Sequence, residues 1–285
     1  MEIKSYGKIN LGLQIISKRD DSFHNIETIF YPVKLSDKLS IRITPSKKGF
    51  NSVTIRSNKS YIPTDKSNCC YKVIESFFKE YKIKKCYRID IYLRKNIPVG
   101  GGLGGGSSNA AAVLKYLVRY FDINVRENKK EIMNIALSVG SDVPFFLIVK
   151  PCLATGRGEK LKILKWFYLN YNILLINPNL HISTKWAYEN IKIKPVAKPL
   201  SDLNDIKGFD PSLSEIFKND FEDVVFSKYG ELELIKKDLD EMGAVFSSLS
   251  GSGASLYGLF KKSSVGDLHK AYNHFKRKDY FVFIS

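Results

Sequence analysis

Six glycines within seven positions form the most unusual stretch of this sequence. They lie in the segment Pro98–Ala112, which reads PVGGGLGGGSSNAAA. Before it, residues 87–93 alternate apolar and polar side chains, a pattern typical of a half-buried strand. From residue 110 to residue 121, apolar side chains recur at helical spacing, so we expect a helix whose first residues are 107–109. The predicted order is strand, glycine loop, helix.

The composition of this loop favours a bound anion. Glycine is costly in chain entropy, and a run of glycines removes the side chains that would keep an anion away from the backbone. A helix start offers unpaired N–H groups and the positive end of the helix dipole, and the serine hydroxyls add donors. A flexible linker is the alternative, but three alanines and an amphipathic helix do not usually follow a linker at once. The loop therefore predicts a site for a phosphate or its metal complex.

Three common phosphate loops do not fit. A Walker A loop needs Lys after its last glycine, where Ser107 stands in this chain. Gly100, Gly102 and Gly105 satisfy the spacing G-x-G-x-x-G, but no second strand ending in an acidic residue follows about 20 positions later. The V-A-I-K and H-R-D segments of protein kinases are also absent from the sequence.

The remaining chain alternates strand and helix patterns. Residues 3–16 alternate, so Lys8 and Asn10 leave the same side of one strand. Helices beside short strands in the second half indicate a ferredoxin-like α+β layer. Further strands are predicted over 26–31, 38–43, 172–176, 244–249, 255–260 and 280–284, and helices over 68–81, 129–139, 184–191, 212–227, 231–242 and 265–276.

Composition bounds the class of protein. The 285 residues are 44% hydrophobic, enough for a substantial core, and no apolar run approaches the roughly 18 residues of a membrane helix. Four cysteines show neither C-x-x-C spacing nor a neighbouring histidine set, so disulfide and zinc sites are not expected. Without a signal-peptide pattern, we expect a cytoplasmic protein that does not bind a membrane.

A formal net charge of +16 allows more than one interpretation. The lysines and arginines are spread along the chain, which favours a solvated basic surface that also steers anionic substrates. An RNA-binding protein without turnover is the alternative from a different class. No zinc finger, RNP or GXXG pattern supports it, and we expect no nucleic-acid partner.

Five segments resemble the motifs of one enzyme family, the GHMP small-molecule kinases. Residues 98–109 resemble its second motif, Pro-x-x-x-Gly-Leu-Gly-Gly-Gly-Ser-Ser. Residues 8–13 and 250–255 resemble its first and third motifs. Residues 140–144 resemble its Gly-x-Asp-Val-Pro segment, and residues 155–159 also resemble the family. The ordered set spans nearly the whole chain.

The resemblance implies a two-domain α+β GHMP kinase fold. Residues 1–153 would form the N-terminal, ribosomal-S5-like domain with the ATP loop, and residues 154–285 the C-terminal, ferredoxin-like domain. The implied reaction transfers the γ-phosphate of ATP to the 2-hydroxyl of 4-diphosphocytidyl-2-C-methyl-D-erythritol, a step of non-mevalonate isoprenoid biosynthesis. ATP, with Mg²⁺, and this small molecule are the implied ligands of a monomer or homodimer. A mevalonate-type or homoserine kinase of the same family remains an alternative.

The resemblance also implies roles for individual residues, with no metal ligands assigned. Lys8 and Asp142 would be catalytic, Asp142 as the base. Contacts to ATP are expected from Lys95, Pro98, Val99, Gly100, Gly101, Gly102, Leu103, Gly104, Gly105, Gly106, Ser107 and Ser108. Contacts to the acceptor are expected from Asn10, Phe23, His24, Asn109, Tyr188, Gly251 and Gly253.

The cytosine-binding turn departs from the family pattern. The family reads Asp-Gly-Tyr-His where this chain has Asp21-Ser22-Phe23-His24. Phe23 keeps a stacking face and loses a hydroxyl, and Ser22 replaces a glycine. Two residues beyond Trp186, Tyr188 occupies the position of a second aromatic of the cytosine site, although either ring would also suit a core.

Several of these residues also have structural interpretations that the pattern alone leaves open. Lys8 and Lys95 would suit a solvated surface, and His24 a surface turn. Asp142 would suit a helix cap, whose loss costs about 1 kcal/mol of stability. The small residues 250–255 would suit a hairpin turn.

Overall fold

The computed structural model describes residues 2–46, 51–196, 198–203 and 207–285. The chain divides into two compact units. The first comprises Met1–Gly7, Leu35–Ile97 and Gly104–Val149, and the second comprises Lys8–Lys34, Pro98–Leu103 and Lys150–Ser285. These units group residues by compactness and interleave along the chain, so the predicted domain boundary after residue 153 stays a prediction.

The described residues form strands and helices in nearly equal measure. The strands are β1 (Glu2–Lys18), β2 (His24–Pro45), β3 (Ser52–Ser57), β4 (Tyr87–Arg94), β5 (Cys152–Thr155), β6 (Lys160–Ile163), β7 (Tyr171–Asn177), β8 (Phe246–Leu249), β9 (Leu256–Lys261) and β10 (Phe281–Ile284). The α-helices are α1 (Cys69–Glu80), α2 (Gly105–Tyr120), α3 (Lys129–Val139), α4 (Val143–Ile148), α5 (Thr184–Asn190), α6 (Phe221–Lys228), α7 (Gly230–Glu241) and α8 (Val265–Arg277). Short 3-10 helices cover Leu200–Asp202 and Pro211–Phe217.

In the first unit, helices pack together beside a small sheet. The second half of β2 pairs antiparallel with β4, Leu39 opposite Leu93, and β4 pairs parallel with β3. Helices α1, α2, α3 and α4 contact one another. The alternating side chains that predicted β4 bury Ile89 and Ile91. This core fixes β4 and α2, the two elements that flank the glycine loop.

In the second unit, helices lie beside a four-stranded antiparallel sheet. The strand order is β10-β7-β9-β8. Buried apolar side chains of α6, α7 and α8 join those of the sheet in one core, which includes Phe221, Leu239 and Phe275. The predicted α+β layer of helices beside short strands is therefore confirmed. The first half of β2 also lies in this unit and pairs with β5, which pairs with the edge strand β6.

Most predicted elements are confirmed, and the exceptions have physical reasons. The helix predicted over 129–139 has those bounds, and α2 begins two residues earlier than expected, at Gly105. The two strands predicted over 26–31 and 38–43 form one continuous strand, β2, of which residues 28–30 pair with β5 and residues 38–45 pair with β4. Strands β3, β5 and β6 were not predicted.

The helix predicted over 212–227 is wrong as a single element. A 3-10 helix ends at Phe217 and α6 begins at Phe221. Between them the chain hydrogen-bonds to β1, where the Leu13 N–H donates to the Lys218 carbonyl and the Asp220 N–H donates to the Leu13 carbonyl. These backbone bonds to a distant strand override the local helical periodicity.

The turn between β1 and β2 holds a serine in a glycine conformation. Ser22 has φ +64°, in the left-handed region that favours glycine. The turn is closed by the Arg19 N–H, which donates to the Phe23 carbonyl at 2.8 Å.

We expect Ser22→Gly to stabilise the protein by about 0.5–1 kcal/mol, because relief of left-handed strain exceeds the added entropy of the unfolded glycine. Ser40→Gly, at an exposed position of β2, is the matched control and should destabilise by about the same amount. Urea unfolding measures both. Equal destabilisation by the two substitutions would contradict this account of the turn.

Candidate active site

The first half of the glycine loop packs against the hairpin of residues 250–255 in the second unit. The Ser255 N–H donates to the Gly101 carbonyl at 3.2 Å, and the Ser250 hydroxyl donates to the Gly102 carbonyl at 3.1 Å. The Lys8 N–H donates to the Leu103 carbonyl at 3.0 Å. The structure therefore brings together the first GHMP-like motif, the third one and this half of the second.

Three of the glycines are required by the protein's own packing. A Cβ at Gly102 would overlap the Ser250 carbonyl oxygen, and one at Gly100 would overlap the His181 ring. A Cβ at Gly101 would lie 2.6 Å from the Ser255 hydroxyl oxygen. The expectation that the whole glycine run exists to admit an anion is therefore too broad.

The later glycines leave the loop open. At Gly106 a Cβ would meet only the Cys69 sulfur, at 4.0 Å. Gly104 occupies the N-cap position of α2 with φ +70° and supplies no side-chain cap, and the first turn holds no acidic residue. The first N–H groups of α2 therefore point outward uncapped, at the positive end of the helix dipole. This arrangement suits a phosphate.

The two serines after the loop have different surroundings. The Ser108 side chain is buried and accepts a hydrogen bond from the Ser5 hydroxyl at 2.6 Å. The Ser107 hydroxyl oxygen lies 3.8 Å from where a Cβ of Gly140 would stand, so it faces the segment that ends in Asp142. The Ser107 hydroxyl is better placed to donate to a phosphate than that of Ser108, which is buried and bonded to Ser5. Both phosphate contacts stay predictions.

A buried ionic network supports the start of α2. Lys95 is 6% exposed, which rules out the solvated lysine, and its ammonium forms an ion pair with the fully buried Asp37. The same ammonium donates to the Asn109 amide oxygen at 2.9 Å, and the Asn109 amide nitrogen donates to Asp37 at 3.0 Å and to Ser5 at 2.9 Å. The Lys95 nitrogen lies 3.2 Å from where a Cβ of Gly105 would stand.

This network bears on the predicted ATP contact of Lys95 and on the predicted acceptor contact of Asn109. The Lys95 charge is held beneath the first turn of α2, where it favours an anion. The Asn109 side chain is engaged by Asp37, Lys95 and Ser5, which favours a structural role over the predicted acceptor contact. Asp37 was not predicted, since nothing in its sequence neighbourhood distinguishes it from a surface aspartate.

Asp142 lies at the N-cap position of the short helix α4, half-buried. Its side chain makes no capping hydrogen bond to the helix, and Pro144 lies in the first turn. The helix-capping interpretation is therefore not supported, while the catalytic role stays a prediction.

Lys8 and Asn10 lie side by side on β1, as the strand pattern predicts. Both are buried, so the solvated interpretation of Lys8 is wrong. The Lys8 ammonium donates to the Asn10 amide oxygen and lies 5.0 Å from the Phe30 ring centroid. The Asn10 amide nitrogen donates to the Thr28 hydroxyl at 3.0 Å. The amide of Asn10 thus fixes the position of the lysine.

The third motif contributes backbone to the same place. A Cβ at Gly251, which has φ +58°, would lie 3.4 Å from the Asn10 amide oxygen. Gly253 has φ +91° and packs against Ile182 and Leu249. Its predicted acceptor contact stays a prediction, and its surroundings are structural.

The predicted aromatic residues cluster in the second unit. The His24 ring stacks on the Tyr188 ring with centroids 5.0 Å apart, and Trp186 instead packs against Tyr229. Phe23 is 49% exposed and carries the Arg157 guanidinium 4.5 Å from its ring centroid. Burial, together with the nearby Lys18 charge, lowers the pKa of His24 and favours its neutral ring.

The described residues contain neither a cluster of metal-ligating side chains nor a membrane-spanning helix. Across residues 2–46, 51–196, 198–203 and 207–285, no three His, Cys, Asp or Glu side chains converge to hold a metal ion. In the same part of the chain, no helix has the length and apolar character needed to span a membrane.

Breaking the buried ion pair should be costly. We expect Lys95→Met to destabilise by about 3–5 kcal/mol, because it leaves Asp37 buried without its cation. The double variant Lys95→Met/Asp37→Leu should regain part of that loss, since both charges are then gone. Urea unfolding of the two variants measures the difference, and a single variant as stable as the parent would contradict the network.

Two family models match the chain: GHMP kinases N terminal domain over residues 68–149, and GHMP kinases C terminal over residues 197–277. A relative from Clostridium kluyveri is 39% identical over 293 residues, covering 100% of this chain and 99% of its own. One from Bacteroides thetaiotaomicron is 41% identical over 255 residues, covering 89% and 90%. Both carry the name 4-diphosphocytidyl-2-C-methyl-D-erythritol kinase.

Solved structures agree with these relatives. A crystal structure of 4-(cytidine 5'-diphospho)-2C-methyl-D-erythritol kinase matches with a TM-score of 0.76 and 26% identity, covering 100% of this chain and 98% of that one. A mevalonate kinase matches with a TM-score of 0.70 at 14% identity, which shows the shared fold alone. The chain therefore belongs to the GHMP kinases, and within them to the 4-diphosphocytidyl-2-C-methyl-D-erythritol kinase family.

Proposed function

We propose that this protein transfers the γ-phosphate of ATP to the 2-hydroxyl of 4-diphosphocytidyl-2-C-methyl-D-erythritol, a step of isoprenoid precursor synthesis. The observation that carries the phosphoryl chemistry is the uncapped start of α2, open at Gly106 and underlain by the Lys95 ammonium. The choice of acceptor rests on the relatives that carry that name over nearly their whole length.

In this proposal the start of α2 holds the phosphates of ATP. Backbone N–H groups of residues 105–107 donate to phosphate oxygens, and the Ser107 hydroxyl adds a donor. The buried Lys95 charge adds a favourable potential without leaving its ion pair with Asp37. Gly100, Gly101 and Gly102 pack closely and Leu103 is buried, so these positions contribute through the backbone.

Mg²⁺ would fit this site if it is bound mainly through the phosphates of the nucleotide. The described residues offer no cage of acidic side chains, and Mg²⁺ in kinases is commonly held by substrate phosphates with one or two carboxylates and water. The Ser107 hydroxyl, at the start of α2, is a side chain that would suit it. When bound, the metal neutralises phosphate charge.

In this proposal two side chains act in the transfer of the phosphoryl group to the acceptor hydroxyl. The Asp142 carboxylate orients the acceptor hydroxyl and takes its proton. The Lys8 ammonium, positioned by Asn10, stabilises the negative charge of the transferring phosphoryl group. Most of the rate enhancement then comes from positioning and electrostatics, as is general for phosphoryl transfer.

Cytosine recognition falls to the cluster of aromatic rings. Phe23 offers an exposed ring face for stacking, and Arg157 holds that ring in place. A neutral His24, stacked on Tyr188, presents one donor and one acceptor nitrogen to the base edge. This cluster favours a cytidyl acceptor over the mevalonate or homoserine of other GHMP kinases.

We expect Asp142→Asn to lower kcat for the cytidyl substrate roughly 10²- to 10⁴-fold, because the general base is lost. ADP release is measured with the cytidyl substrate, mevalonate, homoserine and no acceptor. Asp267→Asn, an exposed carboxylate in α8, is the matched control and should keep parental turnover.

Parental turnover by Asp142→Asn would refute its role as base. ADP release from mevalonate or homoserine, with none from the cytidyl substrate, would refute the proposed acceptor. No ADP release from any alcohol would refute the kinase activity altogether.

A further inference from the structure

A groove of about 580 Å³ lies in the first unit, between the start of β1 and one face of α2, with α4 contributing to its floor. Its volume falls within the range of about 300–1,000 Å³ that small-molecule sites occupy. Of the residues assigned above to ATP or the acceptor, only Ser108 lines it, and the hydroxyl of that residue is hydrogen-bonded to Ser5.

The rim of the groove is positively charged. Lys4, Lys115 and Arg119 line it, and no aspartate or glutamate does. Within the described residues, none of these three cations has an ion-pair partner, unlike Lys95 and Lys236. Although Lys115 is solvent-exposed, desolvation by the surrounding protein lowers its pKa. A bound anion would supply a countercharge for Lys115 and Arg119 that the lining residues of the groove do not.

The walls are aromatic and already held in place. Tyr116 and Tyr120 stack with ring centroids 6.4 Å apart and an interplanar angle of 19°. Tyr120 also packs edge-on against Tyr87, and it remains 41% exposed. Tyr6 stands on the β1 side with 37% of its surface exposed. Such rings offer flat faces for a ligand body and hydroxyls for its polar groups.

The floor is apolar and the inner end is closed by hydrogen bonds. Ala112 and Phe146 are buried at the floor. Ser5 donates to Ser108 at 2.6 Å and accepts from Asn109 at 2.9 Å, so these hydroxyls are held by the protein. The ligand's anionic end is therefore expected at the rim cations and its apolar body on the floor.

We propose that this groove is a binding site for a small amphipathic anion, a phosphate monoester with an aromatic body. Two charge-assisted contacts from Lys115 and Arg119, one helical turn apart, hold the phosphate. The tyrosine rings and the floor cover the body. The site lies beyond the proposed kinase function and does not depend on it.

The probe is 1-naphthyl phosphate, titrated against the full chain by fluorescence with ADP present in excess to occupy the nucleotide loop. We expect saturable binding at sub-millimolar concentration. Lys115→Gln/Arg119→Gln should weaken it about tenfold or more, through the loss of two charge-assisted contacts. Ala112→Leu, which fills the floor without changing charge, should weaken it by a similar factor.

Lys129→Gln/Lys130→Gln is the matched control, because it removes two exposed charges from α3 and leaves the groove intact. It should change the affinity less than about twofold. Neutral 1-naphthol and inorganic phosphate alone should each bind about tenfold more weakly than the probe.

Three results would overturn the proposal. The first is no saturable binding by the parent. The second is an equal loss in the α3 control, which indicates non-specific attraction to a basic protein. The third is full affinity in Ala112→Leu with that variant folded, as judged by its parental Tm, which indicates binding elsewhere. Kinase turnover is not a readout, so failure here is distinct from failure of the proposed function.

Discussion

The absence of side chains along the glycine loop is the constraint on which the rest of this site depends. Because Gly100, Gly101 and Gly102 have no side chains, their backbone closes onto Ser250, Ser255 and His181. Beyond these three positions, Gly104 lies at the N-cap of α2 in a left-handed conformation and supplies no side-chain cap to the first N–H groups of the helix. The N-terminus of α2 is therefore electropositive, although it is built from neutral backbone groups.

The buried Lys95 ammonium adds to the positive potential at the start of α2. Its desolvation is offset by an ion pair and hydrogen bonds. An ammonium as buried as that of Lys95 is unfavourable unless it is paired and hydrogen-bonded. Asp37 supplies the paired charge, Asn109 bridges the two groups, and the N–H groups of Asn96 and Ile97 donate to the other carboxylate oxygen at 2.7 and 2.8 Å. These same contacts tie the end of β4 to α2, so one set of contacts supplies both the buried charge and the local stability.

The sequence predicted what depends on local pattern and missed what depends on distant partners. The helix over 129–139 and the strand at 87–93 follow from periodicity, and the glycine loop from composition. Lys8 and Asn10 were placed on one side of a strand by alternation alone, and only the family resemblance raised them above a solvated surface. The break at 218–220 arises from bonds to Leu13, and Asp37 acquires its role from Lys95 across the fold. Neither the break at 218–220 nor the role of Asp37 can be predicted from the neighbouring sequence.

The central claim is that phosphate occupies the open side of the loop at Gly106. Gly106→Ala tests it directly, because the added methyl meets no protein atom closer than 4.0 Å and alanine is the better helix former by about 1 kcal/mol. Calorimetric titration of the parent and this variant with ATP, beside their urea unfolding, separates the two effects. The account predicts equal or higher stability with ATP affinity reduced at least about tenfold, a loss of about 1.4 kcal/mol. Unchanged ATP affinity in a stable variant would contradict it.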